Sequence, residues 1–93
     1  MKRVVKDEND NYVLLQNVDE DNIYVFKGYT NIYKAHRIGD DKFAFSSLND
    51  SKCYANGLHD SLEKLIGHTL GYGDEVLEFD DFEEFVDWLS NEV

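Results

Sequence analysis

The last twenty residues of the chain carry a dense set of carboxylates. From position 74 to the C-terminal Val93 there are nine acidic side chains and no lysine, arginine or histidine. They are Asp74, Glu75, Glu78, Asp80, Asp81, Glu83, Glu84, Asp87 and Glu92. Ionised carboxylates only accept hydrogen bonds, and an arginine guanidinium can grip them with two parallel bonds. These residue types therefore favour recognition of a cationic group.

The apolar residues between these acids recur at helical intervals and predict an amphipathic helix over residues 81–91. The predicted buried stripe consists of Phe82, Phe85, Val86 and Leu89. Four acids cluster on the opposite side of the helical wheel: Asp80, Glu83, Glu84 and Asp87. Trp88 lies about 100° from the centre of the stripe. It can anchor a cationic partner at the helix edge, cover the core where helix meets sheet, or do both.

The acids of this helix weaken it. Carboxylates one turn apart repel at a cost of a few tenths of a kcal/mol per pair. Asp87 and Glu92 approach the negative end of the helix dipole with no neutralising cation in the nearby sequence. Acids that weaken a helix without a structural gain indicate that they have a function. The alternative is a solvated face that keeps an acidic protein soluble.

Histidine and cysteine do not form a recognisable metal or catalytic pattern. The chain has three histidines, His36, His59 and His68, and its single cysteine, Cys53, leaves no Cys-x-x-Cys pair. These spacings match no zinc site, and no nucleophile context surrounds Cys53, which we expect to be a small buried residue. The glycine-rich stretch 67–73 lacks the dinucleotide-binding order, and the acidic turns lack the Gly and Glu of a calcium loop. We expect a non-enzymatic protein with no metal or cofactor.

Composition limits the remaining classes. The chain has 93 residues, enough for one domain, and nine basic against twenty acidic residues give a net charge of −11. Residues 1–46 contribute −1 and residues 47–93 contribute −10. This charge argues against direct binding to nucleic acid or to an anionic membrane. A polar N-terminus and a lone cysteine favour a cytoplasmic location.

The acidic helix must be positioned by the rest of the domain, which the sequence divides into a strand-rich first half and a second half with helices. Strands are predicted at 2–6, 12–16, 23–27, 32–38 and 42–47, joined by turns of hairpin length and therefore antiparallel. Residues 12–15 of the second strand are apolar on both faces, which predicts a central position for it, and alternation elsewhere predicts one covered face. In the second half, Asp60 as cap and Glu63 predict a helix over 59–69, and residues 75–79 predict a further strand. The fold class is α+β: an antiparallel meander of five to six strands in a single domain 1–93, strand-rich over 1–56 and helix-strand-helix over 57–93.

In its length, absence of proline, Asn and Asp content and acidic surface, the chain resembles small acidic proteins of bacteriophages and mobile elements, including DNA-mimic and anti-CRISPR inhibitors. Because carboxylates can stand in for phosphates, we predict a non-enzymatic binding module whose C-terminal acidic helix and flanking turns dock on a basic, nucleic-acid-binding surface of another protein and inhibit by competition. We predict a partner-binding site formed by Asp80, Glu83, Glu84, Asp87 and Trp88, on a monomer or homodimer. The alternative is a structural or assembly subunit of a phage or mobile element, self-associating through sheet edges or exposed tyrosines, with no inhibitory role.

Overall fold

A computed structural model of the protein describes residues 2–4 and 18–92. In this part of the chain, six strands and two helices follow one another in this order: β1 (Lys2–Val4), β2 (Ile23–Lys27), β3 (Ile32–Gly39), β4 (Lys42–Ser47), β5 (Tyr54–His59), α1 (Leu62–Gly71), β6 (Val76–Phe79) and α2 (Phe82–Glu92). The strands form one sheet in the order β1-β6-β2-β3-β4-β5, and every pairing is antiparallel. The predicted α+β class, with both helices in the C-terminal half, is confirmed.

The predicted strands agree closely with the observed ones where they can be compared. Strands 23–27 and 42–47 have the predicted bounds, and β3 is one residue longer than predicted. The strand predicted at 2–6 is observed over residues 2–4. The strand predicted at 12–16, with its central position, lies outside the described residues.

Strand β5 was not predicted, because its sequence contains two residues with left-handed backbone conformation. Asn56 has φ +63° and Gly57 has φ +82°, and the pairing with β4 shifts register beside them. Asn and Gly adopt this conformation at low cost, which allows a bulge within a strand at the sheet edge. Residues 54–59 therefore extend the strand-rich half slightly beyond the predicted boundary at 56.

Both faces of the sheet are covered, whereas the alternation in the sequence predicted one. Tyr24 and Phe26 point to the face where α1 packs, and the cluster there also contains Phe45, Leu65 and other buried side chains. The side chain between them, Val25, points to the opposite face and packs with Leu77, Phe79 and Phe85. Strand β2 is central enough to bury successive residues on both sides, since neighbouring side chains of a strand alternate between faces.

Helix α1 begins three residues later than the predicted 59, and its N-cap is Ser61 rather than Asp60. The Ser61 hydroxyl accepts a hydrogen bond from the Lys64 backbone N–H at 3.2 Å. Asp60 instead forms an ion pair with the Lys64 side chain, with 3.0 Å between Oδ1 and Nζ. The helix ends at Gly71, with Tyr72 as C-cap. This arrangement fixes α1 on one face and leaves the other face to α2.

Candidate functional site

Helix α2 is built on an N-cap and a small aromatic cluster. The Asp81 side chain accepts a hydrogen bond from the Glu83 backbone N–H at 3.0 Å, which satisfies a free donor at the helix start. Phe85 is buried, and its ring centroid lies 5.7 Å from that of Phe79. The Trp88 ring packs 5.5 Å from Phe79 and is half-buried. These contacts hold α2 against β6 and β2.

The buried face of α2 differs from the predicted stripe. Phe85 and Leu89 face the sheet as predicted, but Phe82 is 65% exposed and Val86 39% exposed. Trp88 takes their place in the interface. At 100° per residue, the helix is turned by roughly 50° toward Trp88 compared with the prediction. This rotation brings the large Trp88 ring into contact with Phe79 and Phe85, with 5.5 and 6.4 Å between ring centroids, and such aromatic pairs stabilise the interface.

The sequence predicts that some apolar residues of α2 are exposed, but it does not predict which ones. The five apolar residues of α2 span about 160° of the helical wheel, from Trp88 to Val86. A helix of eleven residues lying on one sheet cannot bury so wide an arc, so one flank must remain exposed. Which flank is exposed depends on the fit against Phe79, and the sequence pattern alone does not contain that fit.

Three of the five predicted site residues lie together at the surface. Asp80, Glu83 and Asp87 are exposed, and no ion pair to any of the three occurs among residues 18–92. Glu83 and Asp87 are one helical turn apart, which places their side chains about 5–6 Å from each other. Glu84 is half-buried, and Trp88 is half-buried and packs against the core cluster of Val25, Leu77, Phe79 and Phe85. Of the four predicted acids, Asp80, Glu83 and Asp87 therefore face solvent, Asp80 just before the start of α2 and the other two on the helix.

The expectation that Glu92 lacks a neutralising cation is wrong. Lys27 at the end of β2 places its Nζ atom 2.6 Å from Oε2 of Glu92. The two residues are 65 positions apart, so only the tertiary fold brings them together. This ion pair compensates the charge at the last turn of α2 and leaves that of Asp87 without a described partner.

Glu78, another acid of the C-terminal segment, points to the α1 face and has a structural role. It accepts a short hydrogen bond from the Tyr24 hydroxyl and a longer one from the Asn22 amide, at 3.4 Å. The Tyr24 hydroxyl in turn accepts from the Asp19 backbone N–H at 3.1 Å. Burial, with the Glu78 hydrogen bond next in importance, raises the pKa of Tyr24. The hydroxyl therefore stays protonated and is unsuited to acid–base chemistry at neutral pH.

The histidines and the cysteine do not form a site. Within the described ranges, no three His, Cys, Asp or Glu side chains come together in a way that could hold a metal ion. The rings of His59 and His68 do lie 4.8 Å apart, a contact that their spacing did not predict. Burial and then the nearby Lys34 lower the pKa of His36, which favours its neutral form. Cys53 is exposed, contrary to the expectation that it is buried.

A cleft of about 430 Å³ lies at the C-terminal end of α2. Leu89 and the Lys27–Glu92 pair line it on one side, and Tyr29, Ile32 and Leu48 line it on the other. Its volume is within the range of small-ligand sites, and its lining is mainly apolar. The cleft therefore offers room for an apolar side chain next to the acidic helix.

Comparison with family models, curated proteins and solved structures found no significant match to this chain. In the described part of the chain, no helix is long and apolar enough to cross a membrane. Functional inference therefore depends on the geometry of α2.

Proposed function

We propose that this protein is a non-enzymatic binding module whose acidic helix α2 docks on a basic, nucleic-acid-binding surface of another protein. In this role it inhibits by competing with the nucleic acid. One observation carries the proposal: Asp80, Glu83 and Asp87 are exposed together at the start and along the outer side of α2, with no cation of residues 18–92 paired to them.

Carboxylates suit this role because they share the relevant chemistry of phosphates. Both are anions that accept bidentate hydrogen bonds from arginine. Exposed charges are screened over about 8 Å at physiological ionic strength, and Glu83 and Asp87 lie closer to each other than that. A cationic surface therefore meets them as one combined charge.

The energetics of α2 support a functional reason for these acids. Glu83 lies near the positive end of the helix dipole, which favours it. Asp87 is one turn further along and gains nothing from that end, while the repulsion between the two costs a few tenths of a kcal/mol. A lysine at position 87 would stabilise the helix, so the acid is better explained by a partner than by folding.

The test is displacement of labelled single-stranded DNA from an arginine-rich, DNA-binding peptide. We compare the native protein with the triple variant Asp80→Asn, Glu83→Gln, Asp87→Asn. The matched control is Glu20→Gln, Asp40→Asn, Glu63→Gln, three exposed acids outside α2. Both variants change the net charge by the same amount, from −11 to −11 + 3 = −8.

We expect the α2 variant to bind the peptide about 1.5–3 kcal/mol more weakly, since each exposed carboxylate contributes roughly 0.5–1 kcal/mol. That loss corresponds to about a ten- to hundredfold higher concentration for displacement. The control variant should remain within a few-fold of the native protein. Equal behaviour of the two variants would show that only net charge matters and would refute the α2 site.

A second candidate function, assembly through a sheet edge, is favoured by the position of β5. Among the described strands, β5 lies at one end of the sheet, and Tyr54 and Leu58 on it are 44% and 50% exposed. Exposed aromatic and apolar residues on an edge strand can pair with another copy. Sedimentation at several salt concentrations separates the candidates, because a salt-insensitive oligomer favours assembly and a monomer that binds basic peptides favours the docking module.

A further inference from the structure

The exposed flank of α2 carries an apolar strip next to its acids. Phe82, Val86 and Leu89 are separated by four and three residues, so they lie on one side of the helix over about 10 Å of its axis. Phe82 and Val86 are exposed, and Leu89 lines the 430 Å³ cleft. The strip therefore runs along the helix and ends at an apolar cleft.

The acids lie along the outer border of this strip. On the helical wheel, Glu83 is about 60° beyond Val86 on the side away from the sheet, and Asp87 is about 40° further. A ligand seated on the strip thus meets carboxylates on its solvent side. This arrangement is complementary to a helix with an apolar face bordered by lysine or arginine.

We propose that the strip Phe82–Val86–Leu89 binds a basic amphipathic helix of the partner protein, with one of its apolar side chains seated in the cleft. This inference rests on the proposed function, since both need a cationic partner, and it specifies the partner further. A purely polar cationic surface would leave Phe82 and Val86 in water. Burying them and the partner's apolar residues adds a hydrophobic contribution to the charge attraction.

A second copy of this chain is a poor occupant of the strip. Symmetric pairing through α2 would bring Glu83 and Asp87 of the two copies toward each other. Like charges juxtaposed across an interface are strongly unfavourable. The charge pattern therefore selects a basic helix over self-association.

The test uses two synthetic helical peptides of about four turns with identical numbers of lysine and arginine. One carries leucines along one face, and the other carries glutamine at those positions. Binding is followed by the emission of Trp88, the single tryptophan of the chain, and by anisotropy of labelled peptide. The variants are Phe82→Ser with Val86→Ser, and Val86→Ser alone in case the double variant loses stability.

We expect the native protein to bind the leucine peptide at least about tenfold more tightly than the glutamine peptide, a difference of about 1.4 kcal/mol. The double variant should lose this preference while binding the glutamine peptide as before, and Val86→Ser alone should lose part of it. Equal affinity for both peptides, or a preference for the leucine peptide that survives in the variants, would refute binding of an apolar helix face by the strip. Neither result would contradict the proposed acidic site. The reverse case is distinguishable: if neutralising Asp80, Glu83 and Asp87 leaves both affinities unchanged, the proposed function itself fails. The assignment to a basic helix would also be refuted if the native protein formed a dimer and the substitutions at Phe82 and Val86 converted it to a monomer.

Discussion

The Trp88 ring packs on Phe79 with 5.5 Å between centroids, on the face of the sheet opposite α1. This contact sets the rotation of α2 and so decides which side chains meet solvent. Trp88, a predicted anchor for a partner, is half-buried against the core, whereas Phe82 and Val86, predicted to be buried, are exposed. The contact therefore links the packing of the sheet to the composition of the docking surface.

The first prediction concerns stability and distinguishes Trp88, which packs against the core, from Phe82, which is exposed. Trp88→Ala should lower the free energy of unfolding by about 2–3 kcal/mol, below the 3–5 kcal/mol of a fully buried aromatic because Trp88 is half-buried. Phe82→Ala should cost less than about 1 kcal/mol, since most of its ring is exposed. Urea denaturation measures both, and a larger loss for Phe82 than for Trp88 would contradict the observed rotation of α2.

The second prediction concerns the ion pair at the end of α2. Lys27→Met should destabilise the protein by less than about 1 kcal/mol, because both side chains are partly exposed. The loss should shrink at 1 M salt, where screening extends over only about 3 Å. Lys27→Met should also raise the affinity for an arginine-rich peptide, since it removes a cation that competes for Glu92. Unchanged or lower peptide affinity would argue against Glu92 as an extension of the acidic surface.

The third prediction concerns the Tyr24–Glu78 hydrogen bond and its dependence on pH. The raised pKa of Tyr24 means that folding favours the protonated hydroxyl. This stabilisation is complete below pH 10, the ordinary pKa of tyrosine, and declines by up to about 1.4 kcal/mol per pH unit as the pH rises above it.

Comparing urea denaturation of the native protein and Tyr24→Phe between pH 8 and pH 11 tests this relation. Tyr24→Phe should be less stable at pH 8 by about 1–3 kcal/mol, because the Asp19 N–H loses its acceptor and Glu78 loses a donor. The difference should narrow above pH 10. Glu78→Gln keeps an acceptor for the hydroxyl and serves as the milder comparison. Parallel curves for the native protein and Tyr24→Phe would contradict the pKa shift.

Much of the fold could be predicted from the sequence, for identifiable reasons. Alternating aromatic residues in 23–27 and 42–47 defined two strands with correct bounds, and the repeated capping pattern located both helices to within a few residues. Strand β5 was missed because Asn56 and Gly57 interrupt the strand pattern at a bulge. The N-cap of α1 was misplaced by one residue because Asp60 and Ser61 are both good caps, and only the backbone geometry selects Ser61.

The candidate site was predictable in its charge but not in its apolar part. Asp80, Glu83 and Asp87 follow from the wheel regardless of a rotation of about 50°, since they lie far from the sheet in either orientation. Val86 and Trp88 lie at the two borders of the apolar arc, where the same rotation exchanges exposed and half-buried positions. Phe82 lies near the centre of the predicted stripe and is exposed at the first position of α2, which the wheel does not predict. The Lys27–Glu92 pair depends on tertiary contact between distant segments and has no local signal.

The most direct test of the account is to map, by amide chemical shifts of isotope-labelled protein, where an arginine-rich peptide binds. The chain provides an internal comparison, because the turn at Asp19, Glu20 and Asp21 is also rich in exposed carboxylates. We expect the largest amide shifts on residues 80–87, and we expect them to disappear in high salt. Changes at residues 19–21 should be small. Shifts distributed over both acidic regions alike, or absent from α2, would contradict the claim that this helix is the binding surface.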